Sequence, residues 1–279
     1  MNRAGIPVRK GGEDVTQLAP PDSWSGVGLW GPPVPRRTWG ARDVAAGVGW
    51  LLGANLVLAV GVVGWMLAAG PDAPLTGLAT NPVVLVAGLV TLWAVFTAVP
   101  VRVSRRYGTG SLSGDFGWRV PGRGDWMPGV KVGLVLRAAD LALGWVALEL
   151  GWAAGDNSAW LVAPRAWALT ALFLLGAAVI APALEELFFR GFVLRALARS
   201  PRFTPRASTV LAIAVSSVVF GALHTTALNV SGLYVVVVTA AAGAVLAVLA
   251  TRRGNLGACI AAHIVFNSTG VIGVLLVGI

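Results

Sequence analysis

Residues 166–189 read AWALTALFLLGAAVIAPALEELFF, and the helical pattern runs on through RGFVLRALA to residue 198. The first nineteen of these positions carry no charge. At 1.5 Å per residue, 24 residues of α-helix reach about 36 Å, enough to cross a hydrocarbon layer of about 30 Å. Composition points the same way. The chain has 279 residues, of which 56% are hydrophobic and 12% charged, and its mean hydropathy is +0.77. Soluble domains carry about 25% charged residues. A water-soluble enzyme, a disordered chain and a nucleic-acid-binding domain are therefore excluded, and an integral membrane protein remains. The 36 Gly and 12 Trp suit it, because Gly is frequent in membrane helices and Trp gathers at interfaces.

Working outward from this span, apolar runs at 45–69, 82–101, 129–150, 208–224, 232–250 and 256–278 bring the expected count to seven spans, or eight. The fold class expected is all-α, a polytopic membrane helical bundle. Residues 1–44, with six prolines and both charge signs, read as a mobile cytoplasmic tail. Residues 45–160 form N-terminal membrane helices interrupted by a basic loop at 102–128. Residues 161–279 form the segment that carries the chemistry. The span at 129–150 is unusual, since it holds Lys131, Arg137, Asp140 and Glu149. No cleavable signal peptide is visible, because the first apolar run is too long and too late.

Loop charge gives the orientation. Lys and Arg are abundant in the tail, in 102–128, in 195–207 and in 251–255, and sparse in the intervening loops. Rich and poor alternate as seven crossings require, with a cytoplasmic N-terminus and the C-terminus outside, in a multi-pass plasma-membrane protein. These four segments hold 17 of the 21 basic residues, so topology explains most of the +9 net charge. Binding to anionic lipid headgroups follows as a by-product. The single cysteine, Cys259, lies in an apolar stretch and reads as inert.

Ionisable groups inside spans are costly, about 2.5–3.5 kcal/mol each on insertion scales, and are functional candidates by default. In the second half of the chain they are Glu185, Glu186, Arg190, His224 and His263, joined by Asn267. Both histidines of the chain fall in this set. Glu186 and Arg190, four apart, share a helix face and can pair, while Glu185 is turned by about 100°. Phe220 and His224 are four apart, as are His263 and Asn267. Apolar helices bury such polar faces against one another, so a polar pocket inside the bundle is expected. A desolvated glutamate beside a cation can take a proton from water, and histidine and asparagine can position water or donate to a developing oxyanion. Hydrolysis of a carbonyl bond without a covalent intermediate is the chemistry suggested. For depths to match, the fourth helix must extend to about residue 198 and the fifth must start near 204, which forms a hairpin projecting from the membrane.

Three short patterns resemble one family. Glu185-Glu186-Leu187-Phe188-Phe189-Arg190 matches the EExxxR signature of the CAAX proteases and bacteriocin-processing enzymes (CPBP, or Abi). Phe220-Gly221-Ala222-Leu223-His224 matches FxxxH, and His263-Ile264-Val265-Phe266-Asn267 matches HxxxN. The resemblance covers about residues 165–279. It implies an intramembrane endopeptidase acting near the membrane surface. Glu185 would activate the water, His224 would help to hold it, and His263 and Asn267 would stabilise the oxyanion. Glu186 and Arg190 would give structural or electrostatic support. Some accounts of the family make it a metalloprotease, and zinc on Glu185, His224 and His263 is permitted by their chemistry. It is not demanded, because HExxH is absent, and a metal-independent, glutamate-activated water is favoured. Expected partners are membrane lipids and a membrane-associated or lipidated peptide or protein substrate, with no nucleic acid. Nothing in the motifs sets an oligomeric state.

Other intramembrane proteases fit less well. Ser231 in Asn229-Val230-Ser231-Gly232 lacks the first glycine of a rhomboid motif. Gly122-Arg123-Gly124-Asp125 has the letters of a presenilin GxGD, but in a basic loop. Two non-protease readings use the same polar groups: a non-catalytic member acting in partner binding, immunity or scaffolding, and a transporter. Around the candidates, Phe220 reads as packing that orients His224, and Phe188, Phe189 and Phe192 as lipid- or helix-facing core. Arg137 and Asp140 are expected to pair. The stretch 112–127, with Phe116, Trp118 and Trp126, is expected to lie on the membrane surface.

Overall fold

A computed structural model describes residues 39–69, 81–152, 167–225 and 229–277. The expected mobile tail, up to residue 38, lies outside the described residues, as do most of the two basic-poor loops at 70–81 and 151–165. The described residues form eight helices: α1 (Ala41–Ala69), α2 (Pro82–Tyr107), α3 (Leu112–Phe116), α4 (Arg123–Glu149), α5 (Trp167–Ala198), α6 (Pro205–Ala222), α7 (Val230–Arg253) and α8 (Gly257–Val277). Several starts are written locally. Asn81, Thr204 and Asn229 cap α2, α6 and α7 through side-chain oxygens, and Pro82 and Pro205 occupy the first helical turn. Asn229 thus has a capping role.

Six helices are long and apolar enough to cross a membrane: α1, α2, α5, α6, α7 and α8. The seventh expected span is α4, long enough at 27 residues but more highly charged. Leu134, Val135, Leu141, Leu143, Trp145 and Leu148 are exposed and give it an apolar outer face. Arg137 and Asp140 pair with each other, as expected. The hairpin between α5 and α6 has the expected bounds, ending at Ala198 and restarting at Pro205.

The basic loops come together at one end of the bundle. Trp39, at the start of α1, packs edge-on against Phe116 of α3 at 5.2 Å, and the Arg199 guanidinium lies 4.1 Å over its ring. Arg195, near the end of α5, donates to the carbonyls of Asp115 and Gly254. The Leu256 N–H donates to Gly117 O, and Arg253 donates to Gly124 O. The seven long helices therefore alternate in direction, and the described chain begins at this basic end and finishes at the other. Phe116 corrects the surface expectation for 112–127. It is fully buried, between Trp39 and Phe192, because α3 folds into the base of the bundle. Trp126 does stay exposed.

The core surrounds the second half of α5. Residues 185–196 are all buried, so this helix has no outer face and is enclosed by its neighbours. Phe188, Phe189 and Phe192 lie in helix-facing core, edge-on among themselves and against Phe116 of α3, while Phe96 of α2 meets Phe189 edge-on and Phe188 at a tilt. α4 and α8 run parallel in very close contact. A Cβ on Gly129 would stand 2.5 Å from Ala261 Cβ, and one on Gly133 would stand 2.6 Å from Ala262 O. Only hydrogen side chains at these two positions let the backbones approach so far.

At the basic end, Asp125 clamps the start of α4. It is 1% exposed and accepts from both the Gly122 N–H and Arg119 Nη2, with Arg253 Nη2 at 3.8 Å. Burial raises its pKa, but the Gly122 N–H and the Arg119 and Arg253 charges outweigh that, and the net shift is downward. The GxGD letters are therefore a helix start and an ion pair. A carboxylate with a lowered folded-state pKa contributes stability above its unfolded pKa, about 3.9, and loses it as pH falls through the folded value. Asp125→Asn should lower unfolding stability in detergent by about 1–3 kcal/mol. The gap to wild type should stay constant down to about pH 4 and close only below, as read by unfolding at a series of pH values.

Candidate active site

The site is built where α5, α6, α7 and α8 meet. α5 is not a regular α-helix there. It turns π-helical over Gly176–Ile180 and again over Leu187–Val193, on either side of Glu185 and Glu186. Single π turns inside helices are frequent at functional sites. The first has a visible cause in Pro182. The Ala181 N–H bonds to Gly176 O, five residues back. The next such bond would join residue 182 to Ala177 O, and Pro182 has no N–H to give. Asn267 of α8 supplies the donor, with its Nδ2 2.9 Å from Ala177 O.

Glu186 and Arg190 are both fully buried and pair at 2.8 Å, as their spacing anticipates. Arg190 also donates to Gly243 O of α7 at 3.1 Å and lies 4.3 Å over the Phe220 ring. The oxygen of Glu186 that accepts from Arg190 accepts as well from His263 Nδ1 of α8, at 2.9 Å. That fixes the proton on Nδ1 and turns His263 Nε2 towards Glu185, whose Oε2 is 3.6 Å away. This separation is too long for a direct hydrogen bond. Glu185 Oε2 is buried with no hydrogen-bond partner among the described residues. Buried carboxylate oxygens rarely stay unpaired, so this one marks a place where water or a ligand completes the set.

His224 lies just beyond the end of α6, which stops at Ala222, rather than within the span. Its Nδ1–H donates to Phe220 O at 2.7 Å, so the neutral ring presents Nε2 as an acceptor. The Phe220 ring touches His224 at 4.4 Å and His263 at 5.7 Å between centroids, and Phe189 at 5.1 Å. Phe220 thus packs against both histidines and Arg190, which extends the orienting role expected for His224 alone. Among the described residues, no three His, Cys, Asp or Glu side chains gather as a metal-binding set. Glu185, His224 and His263 are thus not found as such a group.

The three sequence patterns therefore meet in space. Residues 167–269 match a family model described as type II CAAX prenyl endopeptidase, Rce1-like. This segment is similar to the CAAX-protease family. No curated protein and no solved structure matches the chain significantly. The CAAX-protease segment starts with α5 and ends within α8, so it contains every residue of the site, while α1 to α4 lie outside it. The protein is thus a multi-pass helical membrane protein carrying a segment that matches a peptidase family model.

Two contributors have little signal in the sequence. Gly243 presents a carbonyl to Arg190, and a Cβ there would stand 3.0 Å from the guanidinium. The Ala177 carbonyl could be inferred from Pro182 in mid-helix, but only if the π register were known. Removing one member of a buried pair strands the other in a low dielectric. Arg190→Leu should therefore lose roughly 3–5 kcal/mol of unfolding stability in detergent. The Arg190→Leu, Glu186→Leu double variant should lose less than Arg190→Leu alone, because no lone charge is left.

Proposed function

We propose that this protein is an intramembrane endopeptidase of the CAAX-protease kind, hydrolysing a peptide bond near the membrane surface with a water activated by Glu185. The observation that carries the reading is the buried Glu185 Oε2, without a hydrogen-bond partner among the described residues and beside His263 within the family-matched segment. Glu185 takes a proton from water, and the resulting hydroxide adds to the carbonyl carbon. The π electrons of the carbonyl move to oxygen. When the tetrahedral intermediate collapses, the C–N bond breaks and the departing amine takes the proton back from Glu185.

The neighbours supply position and charge. His224 Nε2 accepts a hydrogen bond from the water. His263 is oriented by Glu186 through Nδ1, and its Nε2 side faces the place where the oxyanion develops. An amide nitrogen has two protons. Asn267 gives one to Ala177 O and has the other for the oxyanion. Arg190 balances Glu186, so the net charge around Glu185 stays small in an apolar setting. A prenylated CAAX tail, whose lipid partitions into the bilayer beside the bundle, is the first substrate class to test.

The orientation proposed is a plasma-membrane protein with the basic end and the N-terminus in the cytoplasm. The single cysteine makes this testable. In a Cys259→Ala background, a cysteine at Ser200 should react with an impermeant maleimide only from the cytoplasmic side, and one at Gly151 only from the outer side.

Glu185→Gln keeps shape and hydrogen bonding but removes the base. On a fluorescence-quenched farnesylated CAAX peptide in proteoliposomes, it should reduce kcat by about 10²–10⁴-fold while the protein stays folded. Cleavage at the wild-type rate would overturn Glu185 as the base, and no cleavage by the folded wild-type protein would favour a non-catalytic partner-binding role.

A further inference from the structure

α4 lies outside the family-matched segment, yet it touches the helix that carries His263 and Asn267 at every turn. Gly129, Gly133 and Arg137 follow one another at four-residue spacing on one face of α4. The first two bring the backbones into contact at Ala261, Ala262 and Val265 of α8. The third is a charged residue placed at the next turn. Arg137 Nη2 donates to Phe266 O at 2.7 Å, and its Nε donates to Thr269 Oγ1 at 3.3 Å. Nη1 is held by Asp140, one turn along α4. The guanidinium also lies 4.2 Å over the Phe266 ring. A Cβ on Gly270 would overlap Nη2, so α8 leaves a notch for this side chain.

We propose that Arg137 is a positioning residue for His263, setting the height and rotation of α8 through the Phe266 carbonyl and the Thr269 hydroxyl. Its functional consequence rests on the reading of His263 as a group of the reaction. The planar fork can engage two acceptors one turn apart while Asp140 holds its third arm, an arrangement a lysine cannot reproduce. α8 is thereby gripped from both sides. α5 holds it through Glu186–His263 and Ala177–Asn267, and α4 holds it through Arg137. A helix fixed on one side only could roll about that contact, and the Nε2 to Glu185 geometry would change with it. Small misplacements of this kind are costly to catalysis.

The two histidines make the test direct. In detergent-solubilised full-length protein labelled with ¹⁵N-histidine, a His224→Gln spectrum assigns the two rings. Arg137→Lys should move or split the His263 ring signals and leave those of His224 in place. Gly270→Ala, which pushes the guanidinium out of its notch without altering it, should do the same and serves if the lysine variant does not fold. His263 signals at their wild-type positions in either folded variant would overturn the proposal. On the farnesylated peptide, Arg137→Lys should lower kcat on the order of 10-fold to 100-fold with KM within about twofold. The spectra need no substrate. A wild-type protein that cleaves nothing would therefore count against the proposed function and leave the positioning result standing.

Discussion

A carboxylate with no solvent exposure in the interior of a membrane protein is the constraint around which the rest of the structure is arranged. Glu186 cannot carry charge there without a counter-charge and hydrogen-bond donors, because desolvation alone would cost several kcal/mol. Arg190 supplies the counter-charge from the next turn of the same helix, and His263 supplies a second donor from α8. Arg190 brings its own demand, which the Gly243 carbonyl and the Phe220 ring help to meet. Satisfying one buried charge thus ties α5 to α6, α7 and α8. Beside it, Glu185 Oε2, like the second oxygen of Glu186, has no hydrogen-bond partner among the described residues.

The irregularity of α5 is part of this arrangement. A regular helix through Pro182 would meet a ring clash and an orphaned carbonyl. The π turn opens the helix, and an amide from α8 closes it again. The Asn267 side chain therefore joins the two helices one turn along α8 from His263. Around this centre, the aromatic cluster of Phe188, Phe189, Phe192 and Phe220 fills space between helices with rigid rings, so that the polar groups have little room to rearrange.

Much of this was legible in the residues. The spans followed from hydropathy, because a bilayer admits few alternatives to a long apolar helix. The Glu186–Arg190 pair followed from four-residue spacing, and the helix bounds near 198 and 204 followed from matching depths along straight helices. Other features were not legible. Phe116 reads as a surface aromatic in an amphipathic stretch, but α3 tucks it under Trp39, a contact between residues far apart in sequence. His224 reads as a residue within a span and instead follows the helix end, because Phe220 O accepts its ring proton in the closing turn. α4 reads as the weakest span because of its charges. Its polar groups are matched by α8, a partner 129 and 132 residues away.

The sequence by itself determined that this chain crosses a membrane several times, which residues are too polar to face lipid, and which of them share a helix face. These properties are set by composition and by the helical repeat, both local. Only the tertiary structure decided that His263 stands between two glutamates, that Asn267 repairs the backbone at Pro182, and that Arg137 reaches the turn after His263. Each of these depends on the register between helices distant in the chain. That register is fixed by close packing at small residues and by the need of every buried polar group for a partner.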